Sequence, residues 1–141
     1  MQPLTHRIYL LGQALNRRAE DILRPKFDLG FAEYLALQGV ARRRLSSQSE
    51  LAAFVGVTDA GISRIVSRLA ARGLLRAAAD PSNRRRTSLT LTAKGSKLAK
   101  AASAELERRF VKGADGVATP KDIAAFKRVL DALLTLTEQK R

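Results

Sequence analysis

The sequence predicts a mainly α-helical domain that carries one small β-hairpin, which makes it an α+β fold. Apolar side chains recur at helical spacing over most of the chain. Glycines and prolines divide the chain into segments of helical length. One stretch, residues 74–92, alternates like two short strands around a Pro/Asn turn. With 141 residues and 45% hydrophobic content, we expect a single domain with a substantial core.

The predicted elements follow one another without an internal repeat. The predicted order is helix 4–23, a helix from 28 or 31 to 40, short helix 48–55, helix 59–72, strand 74–79, turn 80–86, strand 87–92, helix 93–111 and helix 119–137. Pro25 is expected to end the first helix because proline interrupts helical hydrogen bonding. Thr119 and Pro120 form a cap and first-turn proline for the last helix.

The segment 45–75 is the most informative part of the pattern. Ser47-x-x-Glu50 is a capping box that opens a short helix, and Gly56 ends it. The next helix has one apolar stripe, made of Ile62, Ile65, Val66 and Leu69. Its other face is polar and basic, with Ser63, Arg64, Ser67 and Arg68 and no acid four residues further on. We interpret the two helices as a helix-turn-helix and the hairpin as its wing; an ordinary helical hairpin inside a bundle is the alternative.

The net charge indicates a polyanionic partner or an anionic membrane surface. The chain has a formal charge of +13, and residues 42–97 hold 12 basic against three acidic side chains. No apolar stretch is long enough to span a membrane, no signal peptide is evident, and the zero cysteine count excludes disulfides and thiol chemistry. We therefore expect a cytoplasmic protein without a membrane partner.

Catalysis is not expected. The stretch "GVTDAGIS" has the glycine spacing of a phosphate-binding loop, but Ile62 stands where that loop needs lysine. His6 is the sole histidine and has no nucleophile motif beside it. Acidic residues are scattered, so the sequence predicts no catalytic residue, no metal site and no cofactor.

Two segments, "LSSQSELAAFVGVTDAGISRIVSRLAARGLL" and "DPSNRRRTSLTLTAKG", together resemble the MarR family of winged helix-turn-helix transcriptional regulators. The resemblance is close over residues 45–95, while the flanking helices match in order and length. It implies that residues 1–40 and 93–141 form a helical dimerisation region. It further implies that residues 41–92 form the DNA-binding lobe.

The resemblance, with general rules of DNA recognition, assigns roles to individual residues. Recognition-helix contacts in the major groove are expected from Asp59, Ser63, Arg64, Ser67 and Arg68. Wing contacts in the minor groove are expected from Arg84, Arg85 or Arg86, without a choice among the three. Phosphate contacts are expected from Arg42, Arg43, Arg44 and Arg72. Asn83 departs from the family, which more often has an acid at this place to brace the wing.

The implied function is sequence-specific binding of double-stranded DNA by a homodimer that represses transcription at palindromic operators. Many members of the family respond to a small aromatic or anionic effector. Four residues would border its pocket here, and packing alone also explains them: His6, Tyr9, Phe31 and Tyr34. A sequence-indifferent architectural DNA-binding protein and a winged-helix module for protein partners are the alternatives.

Overall fold

The computed structural model describes residues 2–42 and 44–138. In this part of the chain the elements are α1 (Leu4–Phe27), α2 (Phe31–Arg42), α3 (Gln48–Val55), α4 (Asp59–Ala71), β1 (Leu75–Asp80), β2 (Asn83–Leu91), α5 (Ala93–Ala114) and α6 (Pro120–Glu138). The predicted fold class, mainly α with one hairpin wing, is confirmed. The chain divides into two compact units, one up to Leu106 and one from Glu107 onward. The predicted division into a dimerisation region and a DNA-binding lobe concerns function and stays a prediction.

Helix α2 lies at the centre of the first unit. It packs against α1, α3, α4 and β2. The fully buried large side chains around it are Leu23, Leu29, Leu37, Leu51, Ile62, Leu69 and Leu74. Two polar side chains of α2 are also buried, Glu33 and Gln38. The amide Nε2 of Gln38 donates to the carbonyl of Ala99 at 3.1 Å, which ties α2 to α5.

The end of α1 differs from the prediction. Pro25 lies inside the last turn, and the helix continues to Phe27 before Asp28 takes a left-handed conformation with φ 50°. Proline removes one backbone donor, which at the end of a 24-residue helix costs a single intrahelical hydrogen bond. The expectation that Pro25 ends α1 was therefore wrong by a few residues, because the loss falls on one bond of many.

Both helices of the helix-turn-helix begin at a side-chain cap, and the cap predicted at Ser47 is confirmed. The hydroxyl of Ser47 accepts from the Glu50 N–H at 3.2 Å, and that of Thr58 accepts from the Gly61 N–H at 3.0 Å. Gly56 ends α3 with φ 79°, a conformation that glycine adopts without steric cost. These local bonds set the short turn between α3 and α4.

The hairpin is antiparallel, and its register changes near the tip. Leu75 pairs with Leu91 and Ala79 with Thr87, but Asp80 pairs with Asn83. Residues 84–86 fall between the last two pairs, so the arginine run forms a bulge in β2. The predicted turn over residues 80–86 was therefore too long, because the chain turns at 81–82 and the arginines already belong to the strand.

A close backbone approach joins the hairpin base to α5. A Cβ on Gly95 would lie 1.7 Å from the carbonyl oxygen of Leu74, so no larger residue fits there. The hydroxyl of Thr92 donates to the Gly73 carbonyl at 2.6 Å and accepts from the Gly95 N–H at 2.9 Å. Thr92 therefore caps the N-terminus of α5.

The second unit contains the end of α5, which extends beyond the predicted limit at residue 111, and α6. Thr119 caps α6 by accepting from the Asp122 N–H at 3.2 Å. The Thr119 hydroxyl and N–H donate to the Asp122 carboxylate and hold the pKa of Asp122 below its usual value. Among the helices of the described ranges, none has the length and hydropathy that a membrane span requires.

Candidate nucleic-acid interface

Helix α4 separates an apolar face from a polar face. Ile62, Val66 and Leu69 are buried. The side chains on the solvent side include four that were predicted to contact DNA, namely Asp59, Ser63, Arg64 and Ser67. Arg64 and Ser67 are three residues apart and so share one side of the helix. The burial of the stripe therefore forces a serine- and arginine-bearing face outward.

Two further arginines of this helix contact the protein itself. Arg68, predicted to contact DNA, has its guanidinium Nη2 3.1 Å from the Glu33 carboxylate of α2. Arg72, predicted to contact phosphate, donates from Nη2 to the Phe27 carbonyl at 3.1 Å and from Nη1 to the Asp28 carbonyl. Both arginines thus point toward the α1–α2 turn, while their DNA contacts stay predictions.

The wing presents arginines from the bulge in β2. Arg85 and Arg86 are exposed, whereas the side chain of Arg84 lies outside the described part. The guanidinium of Arg86 lies 3.6 Å from the Glu50 carboxylate, and both side chains are about half exposed. Because exposed ion pairs contribute little, this contact holds the wing loosely against α3.

The wing tip is braced by its own turn. The Asp80 carboxylate accepts from the Ser82 hydroxyl at 2.7 Å and from the Ser82 N–H at 2.9 Å. These two hydrogen bonds, with a smaller effect of the nearby Arg86 charge, lower the pKa of Asp80 from its usual 3.8. Asn83, which departs from the family pattern, accepts from the Arg85 N–H at 3.1 Å. Asp80 and Asn83 therefore shape the backbone of the tip.

Two other arginines predicted to contact phosphate, Arg42 and Arg44, lie at and just after the end of α2. Arg44 is exposed and has a left-handed backbone with φ 53°. Arg42 donates to the Ser103 hydroxyl of α5 at 2.9 Å. Arg43 lies outside the described residues. The structure thus places Arg42 and Arg44 two residues apart, one tied to α5 and one open to solvent.

Sequence reasoning missed a groove between the start of α3 and the wing. Its volume is about 480 Å³, and its lining comes from residues 47–50 and 85–87. Gln48 and Ser49 bring polar side chains to it from the first turn of α3, where backbone N–H groups have no helical partner. The capping box at Ser47 could have revealed this groove, because it marks the N-terminus of a helix. The N-terminus of a helix attracts anions.

Three of the four residues of the predicted effector pocket are associated with one groove, and the pocket itself stays a prediction. Tyr9 and Phe31 line a groove of about 520 Å³ between α1, α2 and the α3–α4 turn. Tyr34 stacks on Phe31 with ring centroids 6.0 Å apart, and His6 lies exposed on α1. A larger cavity of about 710 Å³ lies elsewhere, and Arg42, Arg44 and Lys100 are among its lining residues. Within residues 2–42 and 44–138, no group of three or more potential His, Asp or Glu metal ligands comes together.

Comparisons with known proteins identify relatives of this fold. The sequence profile of the MarR family matches residues 27–86. The structure of apo MarR from E. coli superposes with a TM-score of 0.82 at 19% identity, covering 95% of this chain and 98% of that one. A mutant of that protein bound to operator DNA gives a TM-score of 0.77 at 20% identity, with 94% of each chain covered.

Two relatives from other organisms extend the comparison. The transcriptional regulator BldR of Sulfolobus solfataricus gives a TM-score of 0.78 at 20% identity over 99% of both chains. A MarR family protein of Mycobacterium tuberculosis in complex with p-aminosalicylic acid gives 0.77 at 27% identity, covering 94% of this chain and 98% of that one. A search of curated proteins gave no match.

The family match covers the second helix, the helix-turn-helix and the wing up to its arginines. The structural matches extend the same fold over nearly the whole chain. The predicted resemblance to the MarR family is thereby confirmed, and the chain has the winged-helix fold of that family's solved structures.

Proposed function

We propose that this protein represses transcription as a homodimer that binds palindromic operators in double-stranded DNA and responds to a small effector. The observation that carries the proposal is the outward face of α4, where Arg64 and Ser67 stand opposite a buried stripe. The proposed role is one of binding rather than catalysis, and we place it in the cytoplasm with the DNA.

The reading surface is the exposed side of α4. The second helix of a helix-turn-helix enters the major groove and directs its first turns toward base edges. Arg64 has the donors to contact O6 and N7 of guanine together, which discriminates by about 1–3 kcal/mol against a wrong base. Ser63 and Ser67 flank it with hydroxyls that bond to bases or phosphates. We assign sequence recognition to these three residues, with Asp59 beside them at the start of the helix.

The wing supplies the second contact. Narrow A·T-rich minor grooves concentrate negative potential and attract an inserted arginine. Arg85 fits this role because its side chain is exposed, while the Arg86 side chain is near Glu50. The sequence pattern keeps Arg84 as a wing residue and assigns phosphate contacts to four arginines, namely Arg42, Arg43, Arg44 and Arg72. Phosphate contacts of this kind position a protein without reading the sequence.

A homodimer accounts for apolar surface that each unit leaves exposed. Along α1, one stripe of exposed side chains consists of Leu4, Ile8, Leu11 and Leu15. Along α6, large exposed apolar side chains include Phe126, Val129, Leu133 and Leu136. Apolar stripes on two long helices indicate an interface. A second copy is the partner we propose, because two-fold dimers match palindromic half-sites.

The cavities of the first unit support an effector site. The larger cavity has three cationic side chains in its lining, which suits an anionic group. The groove at Tyr9 and Phe31 offers aromatic surface. The relative from M. tuberculosis holds p-aminosalicylic acid, which is both aromatic and anionic. We therefore propose p-aminosalicylate as the first compound to titrate, with Lys100→Ala and Tyr9→Ala separating the two cavities.

The experiment that tests the function is selection of bound duplexes from a random DNA pool. A repressor of this kind enriches a palindrome with half-sites about 10 base pairs apart, and its affinity falls steeply with salt. Tight binding without enrichment would instead support an architectural protein. Binding without salt dependence, or no binding, would support a module for protein partners. Sedimentation of the free protein and of the complex gives the oligomeric state.

A further inference from the structure

We infer that Glu33 is a positioning residue for DNA recognition, because its buried carboxylate holds Arg68 and thereby fixes α4 against the α1–α2 turn. This inference rests on the proposed function of α4 in reading DNA. It gives Arg68 an internal role, in place of the DNA contact that the sequence pattern predicted. Glu33, Arg68 and Arg72 together form the α2–α4 clamp.

The burial of Glu33 is the first reason. Its residue is 4% exposed, and one carboxylate oxygen accepts from the Gly30 N–H at 2.8 Å. The other oxygen has no hydrogen bond of good geometry, although it lies 3.1 Å from the Arg68 guanidinium. A buried carboxylate is costly without a compensating charge. Glu33 therefore depends on Arg68, and the attraction between them is mainly electrostatic.

Arg72 adds a second link on the same side of α4. It follows Arg68 by four residues, which is about one helical turn. Its guanidinium donates to the carbonyls of Phe27 and Asp28, where α1 ends and its last carbonyls lack helical partners. Arg72 thus contacts the end of α1 and Arg68 contacts the start of α2, so the two arginines bind the α1–α2 turn on both of its sides.

The α1–α2 turn is itself held by hydrogen bonds, so contacts to it can fix the position of α4. The Glu20 carboxylate accepts from the Phe31 N–H at 2.7 Å and from Arg24 at 2.7 Å. Leu29 and Gly30 are buried between these bonds. A movement of α4 about its axis would therefore have to break contacts to a fixed segment.

The consequence concerns the reading face. Arg64 precedes Arg68 by one turn, and Ser67 is adjacent to Arg68 in sequence. A small rotation of α4 moves Arg64 and Ser67 away from the base edges, whereas contacts to phosphate tolerate more movement. The clamp is thus expected to matter for discrimination between DNA sequences more than for general attraction to DNA.

The test compares the full-length protein with Glu33→Gln, Arg68→Gln and the double variant. Each is titrated with the duplex selected by the wild type and with a random duplex of equal length, over a range of salt. We expect each single variant to lose about 10-fold on the selected duplex and little on the random one, since contacting residues couple by that order. The double variant should lose no more than the worse single variant, and the salt slope should stay unchanged.

Glu107→Gln is the matched control, because Glu107 also forms an ion pair, with Lys127, but both side chains are more than half exposed. It should leave the preference for the selected duplex unchanged. If Arg68→Gln lowers the salt slope by about one and weakens both duplexes alike, Arg68 is a phosphate contact and the inference is wrong. Additive losses in the double variant would contradict it as well.

Hydrogen exchange of the free protein separates this inference from the proposed function. The α4 amides should exchange faster in Glu33→Gln and Arg68→Gln than in the wild type, irrespective of any DNA. If the wild type does not distinguish the two duplexes, the proposed function fails, while faster exchange would still support the clamp. Unchanged exchange in both variants would overturn the clamp. If Glu33→Gln does not fold, Arg68→Gln carries the test, because the Arg68 side chain is 66% exposed.

Discussion

The recognition helix and the wing, the two elements proposed to contact DNA, are held by the rest of the protein in different ways. Helix α4 has a buried apolar stripe, a side-chain cap at Thr58 and polar links to the α1–α2 turn. The hairpin is buried at its base, through Leu75 and Leu89, and has exposed side chains along most of β1. The comparison indicates that the recognition helix is held rigidly, whereas the wing can adjust its position.

The different anchoring agrees with the different tasks. Base recognition needs side chains held in a defined orientation, because each hydrogen bond to a base edge is directional. An arginine entering a minor groove is drawn by electrostatic potential, which varies slowly with position. The wing can therefore rely on one backbone bond from Leu89 to Ser46, at 2.9 Å, and on an exposed ion pair.

The largest effect should follow from breaking the buried stripe of α4. Leu69→Ala removes a fully buried side chain, and we expect a loss of about 3 kcal/mol in the free energy of unfolding. Chemical denaturation followed by circular dichroism measures it. Ala71→Ser, on the exposed side of the same helix, should change the stability by less than about 0.5 kcal/mol. Equal losses would contradict the division of α4 into two faces.

Removing the Arg64 side chain, which is proposed to contact bases, should have a smaller effect that is confined to DNA binding. Arg64→Ala should weaken binding to the selected duplex by about 1–3 kcal/mol and relax base preference, with unfolding unchanged. Titration of selected and random duplexes shows the preference. Arg18→Ala, on the exposed side of α1, removes the same charge as a control. An equal loss on both duplexes would mean that Arg64 contacts phosphate.

The wing should give a weaker and more uniform effect. Arg85→Ala should cost about 1 kcal/mol, most at sites with A·T-rich flanks, and should lower the salt slope by about one. Fluorescence titration of duplexes that differ only in their flanks measures this dependence. Arg76→Ala, in the regularly paired part of the hairpin, is the control. If the loss did not depend on the flanking sequence, the proposed minor-groove role of Arg85 would be wrong.

The smallest expected effect is the shift in the pKa of Asp80 at the wing tip. Hydrogen bonds from Ser82 lower the folded-state pKa of Asp80 below 3.8. A depressed carboxyl pKa adds stability above its unfolded value, and this contribution is lost as the pH falls through the folded value. Carboxyl chemical shifts in NMR should therefore show Asp80 titrating below pH 3.8, and Ser82→Ala should raise the midpoint. A midpoint unaffected by Ser82→Ala would mean that the turn is not formed in solution.

Much of the fold was predictable because its signals are local. The caps at Ser47, Thr58, Thr92 and Thr119 each bond to an N–H three residues further on, so spacing alone reveals them. The stripe of α4 follows the helical period. The predicted end of α1 at Pro25 was wrong because a proline in a last turn removes one bond without stopping the helix.

The candidate site was predictable in part. Outward positions such as Ser63 and Arg64 follow from the inward ones, since a helix with one buried face exposes the other. The pairing of Arg68 with Glu33 was not visible, because the two residues are 35 positions apart and belong to different helices. The bulge at residues 84–86 was also hidden, since strand register depends on the partner strand.

By itself the sequence determined the order of the elements, their caps, the net charge of +13 and the resemblance to the MarR family. These properties depend on neighbouring residues or on composition, so they can be predicted without knowing which distant residues are in contact. Tertiary structure decided which arginines are tied to other groups of the protein. The physical reason is that a buried carboxylate such as Glu33 needs a cation, and packing alone brings Arg68 within its reach.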